Sequence, residues 1–459
     1  ADASAKTDGT LGVGVAVALN VAVVSNKAYI GGTVYTTGLV VSALMNGTEG
    51  DGTNTFGATA ESGASAGDVG VAGGFVLNTS VTDTAAYIQG DDPDENGDQS
   101  AYVSAGSGDV EIRAAGKTEA TAEAKPKDLG EDGGSGAGAD VGVGASVALN
   151  IAVNGVRAEI ENDASLTDAG AVTIDASGDH TTSAVAKAGA AGETAGIAPS
   201  IALAIGINTT SAVIADNATV GLSGNLVVQA DHNAQTTSLA DGEAAGDVGV
   251  GAAVAVTVAT DVVEASLAGQ VAVGGSVDVN SNSSVTSEAS AKASASGAKE
   301  DGSSGEEKTA EKQVQGPLSN HDPNKDNDDK VETPPMEQEG TKVSVGAAVA
   351  ANITVATTKA TVSGTVLGAT GDSTSLAGQM TVAAGNEVDA DALADAKAVD
   401  GDVGVGVAVA VNVPVVINEA TVSGEVHADG VSLSAATNET PRVFHSQNNV
   451  DTDENTIDL

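Results

Sequence analysis

The sequence predicts an all-β chain that folds as an elongated β-solenoid, a β-helix-like array of about seven units. The first observation is a phrase of alternating large and small residues, which occurs seven times. Eight residues after a fixed position in the phrase, Ala-x-Ile/Val/Leu follows. That position holds Asn20, Asn78, Asn150, Ala204, Thr257, Asn352 and Asn412. The second observation is that aromatic residues make up only 2% of the 459 residues, which favours thin layers over a thick globular core.

The alternating run predicts a strand with two different faces. In the third unit the odd positions from Val141 to Val153 are mostly large, whereas the even positions between them are Gly, Ala, Ser or Asn. A period of two with many β-branched residues is typical of a strand. We expect the bare face of this strand to let a second sheet approach closely.

The rest of each unit predicts further strands. The Ala-x-Ile phrase is the second strand, and a third follows a Gly or Asp turn, as at residues 170–174. An Ala- and Asp-rich fourth segment closes the unit, as at residues 389–396, and turn residues separate all four. Each unit of about 55 residues therefore gives three or four strands. The alternative fold is a set of antiparallel β-sandwich-like subunits of a filament.

Insertions divide the array into segments. The predicted segments are array units 1–5 at residues 1–296, with insertions near 89–100 and 125–138, an acidic Pro-containing insertion loop at 297–340, array units 6–7 at 341–440, and an acidic C-terminal tail at 441–459. The loop combines acidic residues, Lys, Ser and several Pro, a composition that is typical of an exposed or disordered surface loop.

The two ends of the sequence align with each other. Residues 3–14 align without gaps on residues 395–406, so the chain begins inside the closing segment of a unit, and no closing segment is recognisable at its C-terminal end. Two interpretations follow. The chain is a slice flanked by further repeats of a longer array, or the next copy supplies the missing strand and a head-to-tail filament results.

The net charge of −45 restricts the partners. With 63 acidic residues against 18 Lys and Arg, nucleic acid and anionic membranes are poor partners. The longest apolar run, residues 11–24, is shorter than a spanning helix, so no membrane insertion is predicted. The absence of Cys excludes a disulfide framework and is compatible with a location outside the cell.

Three acidic segments predict calcium loops, because alternating carboxylates and amides around a tight turn offer the oxygen ligands that calcium prefers. Val103 stands where an EF-hand would need Glu, which leaves a shorter type of loop. The alternative is that these segments are solvated acidic loops. The candidate ligands are Asp92, Asp94, Asn96 and Asp98, then Asp322, Asn324, Asp326 and Asp328, and finally Asp451, Asp453 and Asn455.

Other polar positions predict structural roles. The recurring Asn side chains are expected to hydrogen-bond one another into a ladder along the stack. The Gly142-Val143-Gly144 motif lies on a strand face and is not interpreted as a phosphate loop. His180 and His232, each after an Asp, are predicted at equivalent turns. No catalytic residue is predicted, and a polysaccharide-active solenoid enzyme is the remote alternative, because it would need acids clustered with Arg or Lys.

The text Gly-Val-Gly-Ala-Ser-Val-Ala-Leu-Asn-Ile-Ala at 142–152, with Gly-Ala-Val-Thr-Ile-Asp-Ala-Ser at 170–177, resembles the repeats of giant secreted bacterial surface proteins. These are the filamentous-haemagglutinin-like and leukotoxin-like adhesins. The resemblance implies a β-solenoid, an extracellular or cell-surface location and a role in adhesion or a surface fibre. The longer period and the insertions depart from the haemagglutinin repeat and leave the number of coils per unit open. We therefore expect a non-enzymatic rod or fibre segment for cell-surface adhesion or a biofilm matrix, stiffened by calcium.

Overall fold

A computed structural model of the chain describes residues 1–45, 52–64, 67–90, 100–126, 139–296, 342–371, 377–399, 401–437 and 445–452. In these ranges the regular secondary structure consists of strands in three parallel sheets, and the predicted all-β solenoid is confirmed. The same ranges contain no helix that is long and apolar enough to cross a membrane.

Three sheets make up the stack. Two consist of long strands and are called the first and the second sheet, and one consists of short strands and is called the short sheet. The second sheet comprises β1 (Asp2–Thr7), β4 (Leu39–Leu44), β5 (Asn54–Ala64), β8 (Val110–Pro126), β11 (Val172–Ala191), β14 (Leu226–Ala245), β17 (Val277–Ser296), β20 (Ala377–Val399), β23 (Ala428–Thr437) and β24 (His445–Thr452). The first sheet comprises β2 (Leu11–Ile30), β6 (Val69–Ile88), β9 (Val141–Ile160), β12 (Ala195–Ile214), β15 (Val248–Leu267), β18 (Val343–Val362) and β21 (Val403–Val422). The short sheet comprises β3 (Thr33–Tyr35), β7 (Tyr102–Ser104), β10 (Ser165–Ala169), β13 (Thr219–Leu222), β16 (Gln270–Val273), β19 (Thr365–Gly368) and β22 (Glu425–Val426).

Each repeat forms one coil of the solenoid. In the third coil the chain follows β9, turns into β10, turns again and returns along β11. The next long strand, β12, then lies beside β9 in register, so that Asn150 pairs with Asn78 on one side and with Ala204 on the other. The copies of the repeated phrase therefore lie side by side, and there is one coil per unit.

The strands are fewer and longer than the sequence predicts. The alternating run and the Ala-x-Ile phrase form a single strand of 20 residues in β9, and the predicted third and fourth strands likewise join in β11. Each coil adds a short strand, such as β10, that the sequence analysis did not predict. Among the described strands every pairing is parallel, so the antiparallel sandwich alternative is wrong.

The distance between the two long sheets decreases from the short sheet towards the opposite end of each coil. Next to the short sheet the core contains large side chains such as Ile160, Leu166 and Ile174. Further along the long strands the apolar side chains that face each other are almost all Ala. At the far end of β9 the two long sheets come so close that a Cβ on Gly142 would overlap the carbonyl oxygen of Ala191. The glycines of the repeated phrase are therefore needed where the sheets converge.

The bare face of the first sheet points inward and the bulky face points outward. Ala148 and Ala202, on the bare face, are fully buried, whereas Ile201 on the opposite face is 43% exposed. The expectation that a second sheet approaches the bare face is confirmed. The space between the two long sheets is too narrow for rows of Val and Leu, and these residues consequently lie on the outer surface.

The array continues across the predicted insertion loop. β15 pairs with β18, and β17 pairs with β20, so the fifth and sixth coils stack directly. The predicted insertions near 89–100 and 125–138 and the predicted loop at 297–340 lie mostly or wholly outside the described residues. The segment predicted as an acidic tail contains β24, which pairs with β20 in the position of a closing segment.

Candidate assembly surfaces

The recurring Asn side chains form a hydrogen-bonded ladder inside the core, as predicted. Asn20 Nδ2 donates to Asn78 Oδ1 (2.7 Å), and Asn78 Nδ2 donates to Asn150 Oδ1 (2.9 Å). In the last two coils Asn352 Nδ2 donates to Asn412 Oδ1 (3.2 Å). Each of these amides donates towards the C-terminal end of the stack, so the ladder has a direction.

The ladder also ties the two long sheets together. Asn150 Nδ2 donates to the backbone oxygens of Ala120 (2.7 Å) and Ser183 (2.8 Å), both on the second sheet. Where Thr257 replaces Asn, its hydroxyl donates to the backbone oxygen of Glu288 (2.6 Å). The position therefore satisfies buried carbonyl groups that no apolar side chain would satisfy.

A second buried polar column lies four residues further along the first-sheet strands. Thr82 Oγ1 donates to Asn154 Oδ1 (2.8 Å), and Asn154 Nδ2 donates to Asn208 Oδ1 (2.8 Å). Asn208 Nδ2 donates in turn to Asp261 Oδ1 (2.7 Å). This column was not predicted from the sequence, although its residues share the inward phase and one fixed offset from the ladder position.

His180 and His232 join this column from the second sheet. They lie within β11 and β14, so their predicted placement at turns is wrong. His232 Nε2 lies 3.1 Å from Asp261 Oδ1, and His180 Nδ1 lies 2.8 Å from Thr118 Oγ1. Burial lowers the pKa of His180 well below its usual value, and the neighbouring His232 lowers it further. With His180 1% exposed and Asp261 fully buried, a substrate would reach them only if the core opened.

The outer face of the second sheet carries acids and amides in rows along the stack. Asn233 Nδ2 donates to Asp179 Oδ1 (3.0 Å), and Asn282 Nδ2 donates to Asp231 Oδ1 (2.9 Å). Lys117 Nζ lies 3.2 Å from Asp179 Oδ2. Much of the acidic charge on the described strands is therefore solvated on one flat face, where amides and a few cations separate the carboxylates.

The two end strands of the first sheet repeat the same inward pattern. β2 and β21 each have one neighbour in this sheet among the described strands. Through the register of the sheet, Gly12, Gly14, Ala16, Ala18 and Asn20 of β2 correspond to Gly404, Gly406, Ala408, Ala410 and Asn412 of β21. A further coil with the sequence of β2 would therefore continue the stack beyond β21 without a change in the core.

The predicted calcium ligands fall almost wholly outside the described residues. Asp451 lies in β24, where it is paired in register with Lys397 of β20. The described ranges contain no group of three or more His, Cys, Asp or Glu that could hold a metal ion. The ligands outside them are Asp92, Asp94, Asn96, Asp98, Asp322, Asn324, Asp326, Asp328, Asp453 and Asn455.

Comparisons of the chain with protein-family models, with curated proteins and with solved structures found no match. What the arrangement offers chemically is parallel backbone hydrogen bonding at the edges of its sheets, a buried polar core and two contrasting outer faces. The first two of these properties hold neighbouring coils together in the stack.

Proposed function

We propose that this chain is a non-enzymatic structural protein, a rod or fibre segment outside the cell that serves surface adhesion or a matrix such as a biofilm. The observation that carries the proposal is the in-register stacking of long strands, in which β12 pairs with β15 over 20 residues. Each added coil lengthens such a stack without altering its cross-section, and each coil contacts only its neighbours. The extracellular location rests on the absence of Cys, the acidic composition and the resemblance to secreted repeat adhesins.

Calcium in the acidic loops is part of this proposal. A chain with 63 acidic residues repels itself, and bound divalent cations would offset that repulsion and stiffen the loops. We expect chelation to lower the melting temperature and added calcium to restore it, because a ligand that binds the folded state stabilises it. Magnesium at the same ionic strength is the control, and an unchanged melting temperature after chelation would contradict calcium binding.

The second candidate function is a filament subunit that polymerises head to tail. The direction of the Asn ladder favours it, because only head-to-tail stacking places the Asn412 amide of one copy towards the Asn20 carbonyl of the next. The matching inward residues of β2 and β21 favour the same contact. Stacking in the opposite orientation would place like ends of the ladder together and break the register of the repeated phrase.

The N-terminal strand has a definite place in that contact. In this chain β1 pairs with β5, and the residues of β24 pair with Asp391–Ala398 of β20. The alignment of residues 3–14 on residues 395–406 would place β1 of a following copy against the same stretch of β20. β24 and an incoming β1 therefore compete for one strand edge, and filament growth would displace β24.

Electron microscopy of the purified chain separates the two candidates. Uniform long fibres from this single chain favour the filament subunit, whereas short isolated particles favour a segment of a longer array. Deletion of residues 1–9 should abolish fibres that form by strand addition, and deletion of residues 441–459 should accelerate their formation. Fibres that form equally well without residues 1–9 would exclude strand donation by β1.

A further inference from the structure

The outward side chains of the first sheet form an aliphatic surface. Its strands pair in register, so each outward position becomes a row that crosses all seven strands. One such row consists of Val17, Phe75, Val147, Ile201, Val254, Val349 and Val409. We call the first seven of these rows, counted from the Gly end of the strands, the aliphatic face.

No charged residue lies on the aliphatic face. Its members are Val, Ile, Leu and Phe, apart from a few small or uncharged residues. The exceptions are Gly73, Thr79, Ala145, Ala195, Pro199, Ala252, Thr260, Ala347 and Ala351. Even in the middle of the sheet, where neighbouring strands cover each side chain, Ile201 is 43% exposed and Ile353 is 41% exposed. The face is therefore continuous and accessible.

The size of the face exceeds what an isolated protein ordinarily exposes. Seven strands at a spacing of about 4.8 Å, each covered over about 43 Å of its length, give a patch of roughly 1,400 Å². Monomeric proteins rarely expose contiguous apolar patches larger than a few hundred Å². A stable protein interface needs about 800 Å² from each partner. One aliphatic face is thus large enough to support a stable dimer.

Charges border the aliphatic face on the side of the short sheet. Lys27 Nζ and Asp83 Oδ2 lie 3.0 Å apart, and Arg157 Nη1 lies 3.1 Å from Glu159 Oε2. Both signs of charge are present in this border, so it carries no strong repulsion. An apolar centre with a mixed polar rim is the usual organisation of a protein interface.

We propose that two copies of this chain pack face to face through their aliphatic faces. The face repeats the same aliphatic rows in every strand, so an identical face offers matching rows to it, as a two-fold interface between identical chains requires. The acidic rows of the second sheets would then lie on the two outer sides of the dimer, roughly 25–30 Å apart, well beyond the Debye length of about 8 Å at physiological salt. The acidic charge that the described strands carry on the second sheet consequently does not oppose formation of the dimer.

This pairing is independent of the axial stacking proposed above. It uses outward side chains of the first sheet, whereas axial stacking uses the strand edges of β2 and β21. Face-to-face association also ends at two copies, because it covers the aliphatic faces of both partners, whereas axial stacking is open-ended. The two kinds of association therefore give different particle masses and respond to different substitutions.

The mass of the chain in solution tests the proposal. We expect light scattering after size-exclusion chromatography to give twice the 44.1 kDa chain mass at micromolar concentration. The variant Val147→Lys, Ile201→Lys, Val254→Lys places three charges in one row of the face, and we expect it to be a monomer. The milder variant with Thr at these three positions keeps the β-branched shape, should fold normally, and should weaken the dimer at least tenfold. A monomeric wild-type chain, or a Thr variant that pairs as tightly as the wild type, would overturn the proposal.

A matched control lies on the other sheet. Thr181, Gln235 and Thr286 form a corresponding row on the outer face of the second sheet, and their replacement by Lys should leave the dimer intact. Because the chain has no Cys, single-cysteine variants locate the contact directly. We expect Ile201→Cys to react with a maleimide much more slowly as protein concentration rises, whereas Thr286→Cys reacts at a constant rate. Equal reactivity of the two cysteines at all concentrations would contradict burial of the aliphatic face.

Discussion

At the scale of single residues, the inward side chains set the distance between the two long sheets. Ile160 and Ile174 hold the sheets apart next to the short sheet, and Gly142 lets them meet at the opposite end. A small residue at an inward position is therefore a packing requirement. An outward glycine such as Gly155 meets no comparable restriction, because the nearest atoms to its added Cβ lie at 3.7 Å.

The substitution Gly142→Ala should destabilise the fold, because its methyl group would overlap the Ala191 carbonyl oxygen and force the sheets apart. We expect a loss of about 1–3 kcal/mol, the usual cost of overpacking. Gly155→Ala, in the same strand, is the matched control and should be neutral or slightly stabilising. The denaturation midpoints of the two variants measure the difference, and equal midpoints would contradict the convergence of the sheets.

The buried His180 makes the fold sensitive to acid. Because burial lowers its pKa in the folded chain, protonation favours the unfolded state, where the pKa is about 6.5. The stability that depends on neutral His180 is therefore complete above pH 6.5 and declines as the pH falls below it. Glu159 and Glu288 act in the opposite sense, since burial raises the pKa of each and protonation then favours the folded state.

We expect His180→Ala to lose less stability than the wild-type chain between pH 7 and pH 5. Ala is the residue found at the equivalent position of the next coil, Ala234, so the strand register tolerates it. For each protein, the melting temperature is measured at both pH values and the change between them is compared. A pH-independent destabilisation by the cavity that Ala leaves at position 180 affects both temperatures of the variant and does not enter that change. An identical pH dependence in both proteins would show that His180 is not the acid-sensitive group.

At the scale of elements, polar ladders bind neighbouring strands and facing sheets together. Asn150 accepts a hydrogen bond from Asn78 and donates to two carbonyl oxygens of the second sheet. One buried side chain thus connects its own strand, β9, to three others, β6, β8 and β11. The ladder fixes the register of the coils, since a shift by one residue would turn each Asn to the outer face.

The substitution Asn150→Ala should therefore cost about 2 kcal/mol, because it removes one of the two acceptors of the Asn78 amide and the side-chain donor to two buried carbonyl oxygens. Asn162→Ala is the control, because Asn162 lies exposed in the turn after β9, where its side-chain amide hydrogen-bonds Asp163 and Asn217 at the surface. Urea denaturation of both variants measures the two costs. A cost for Asn150→Ala as small as that of the control would show that the ladder contributes little.

The sequence allowed the strands, their two faces and the Asn ladder to be predicted, because a period of two and a fixed spacing report directly on register. It also indicated that the bare face admits a second sheet, but not that the alternating run and the Ala-x-Ile phrase form one continuous strand, because the residues between them do not differ from those of a turn. Asp179 and Asp231 suggested turns, yet both occupy outward positions of long strands, where an acid is simply solvated. The column around Asp261 depends on residues of separate repeats, and only the stacking of coils brings them together.

At the scale of the whole molecule, the chain is a flat slab with unlike outer sides. Its strands of 20 residues span about 66 Å, whereas seven coils rise only about 34 Å along the axis. A rod much longer than it is wide therefore requires more coils, from further repeats or from stacked copies. The aliphatic face adds a second direction of association, across the axis, and together the two directions would produce paired fibres.

The Asn ladder, the aliphatic face and the axial stacking all require that each repeat is one coil of a parallel stack. Cryo-electron microscopy of the purified chain, or of its fibres, measures this directly. We expect strands spaced by about 4.8 Å along the axis and about 34 Å of axial rise per chain. Two coils per repeat would double that rise to about 67 Å, and such a value, or antiparallel strands in the density, would contradict the account.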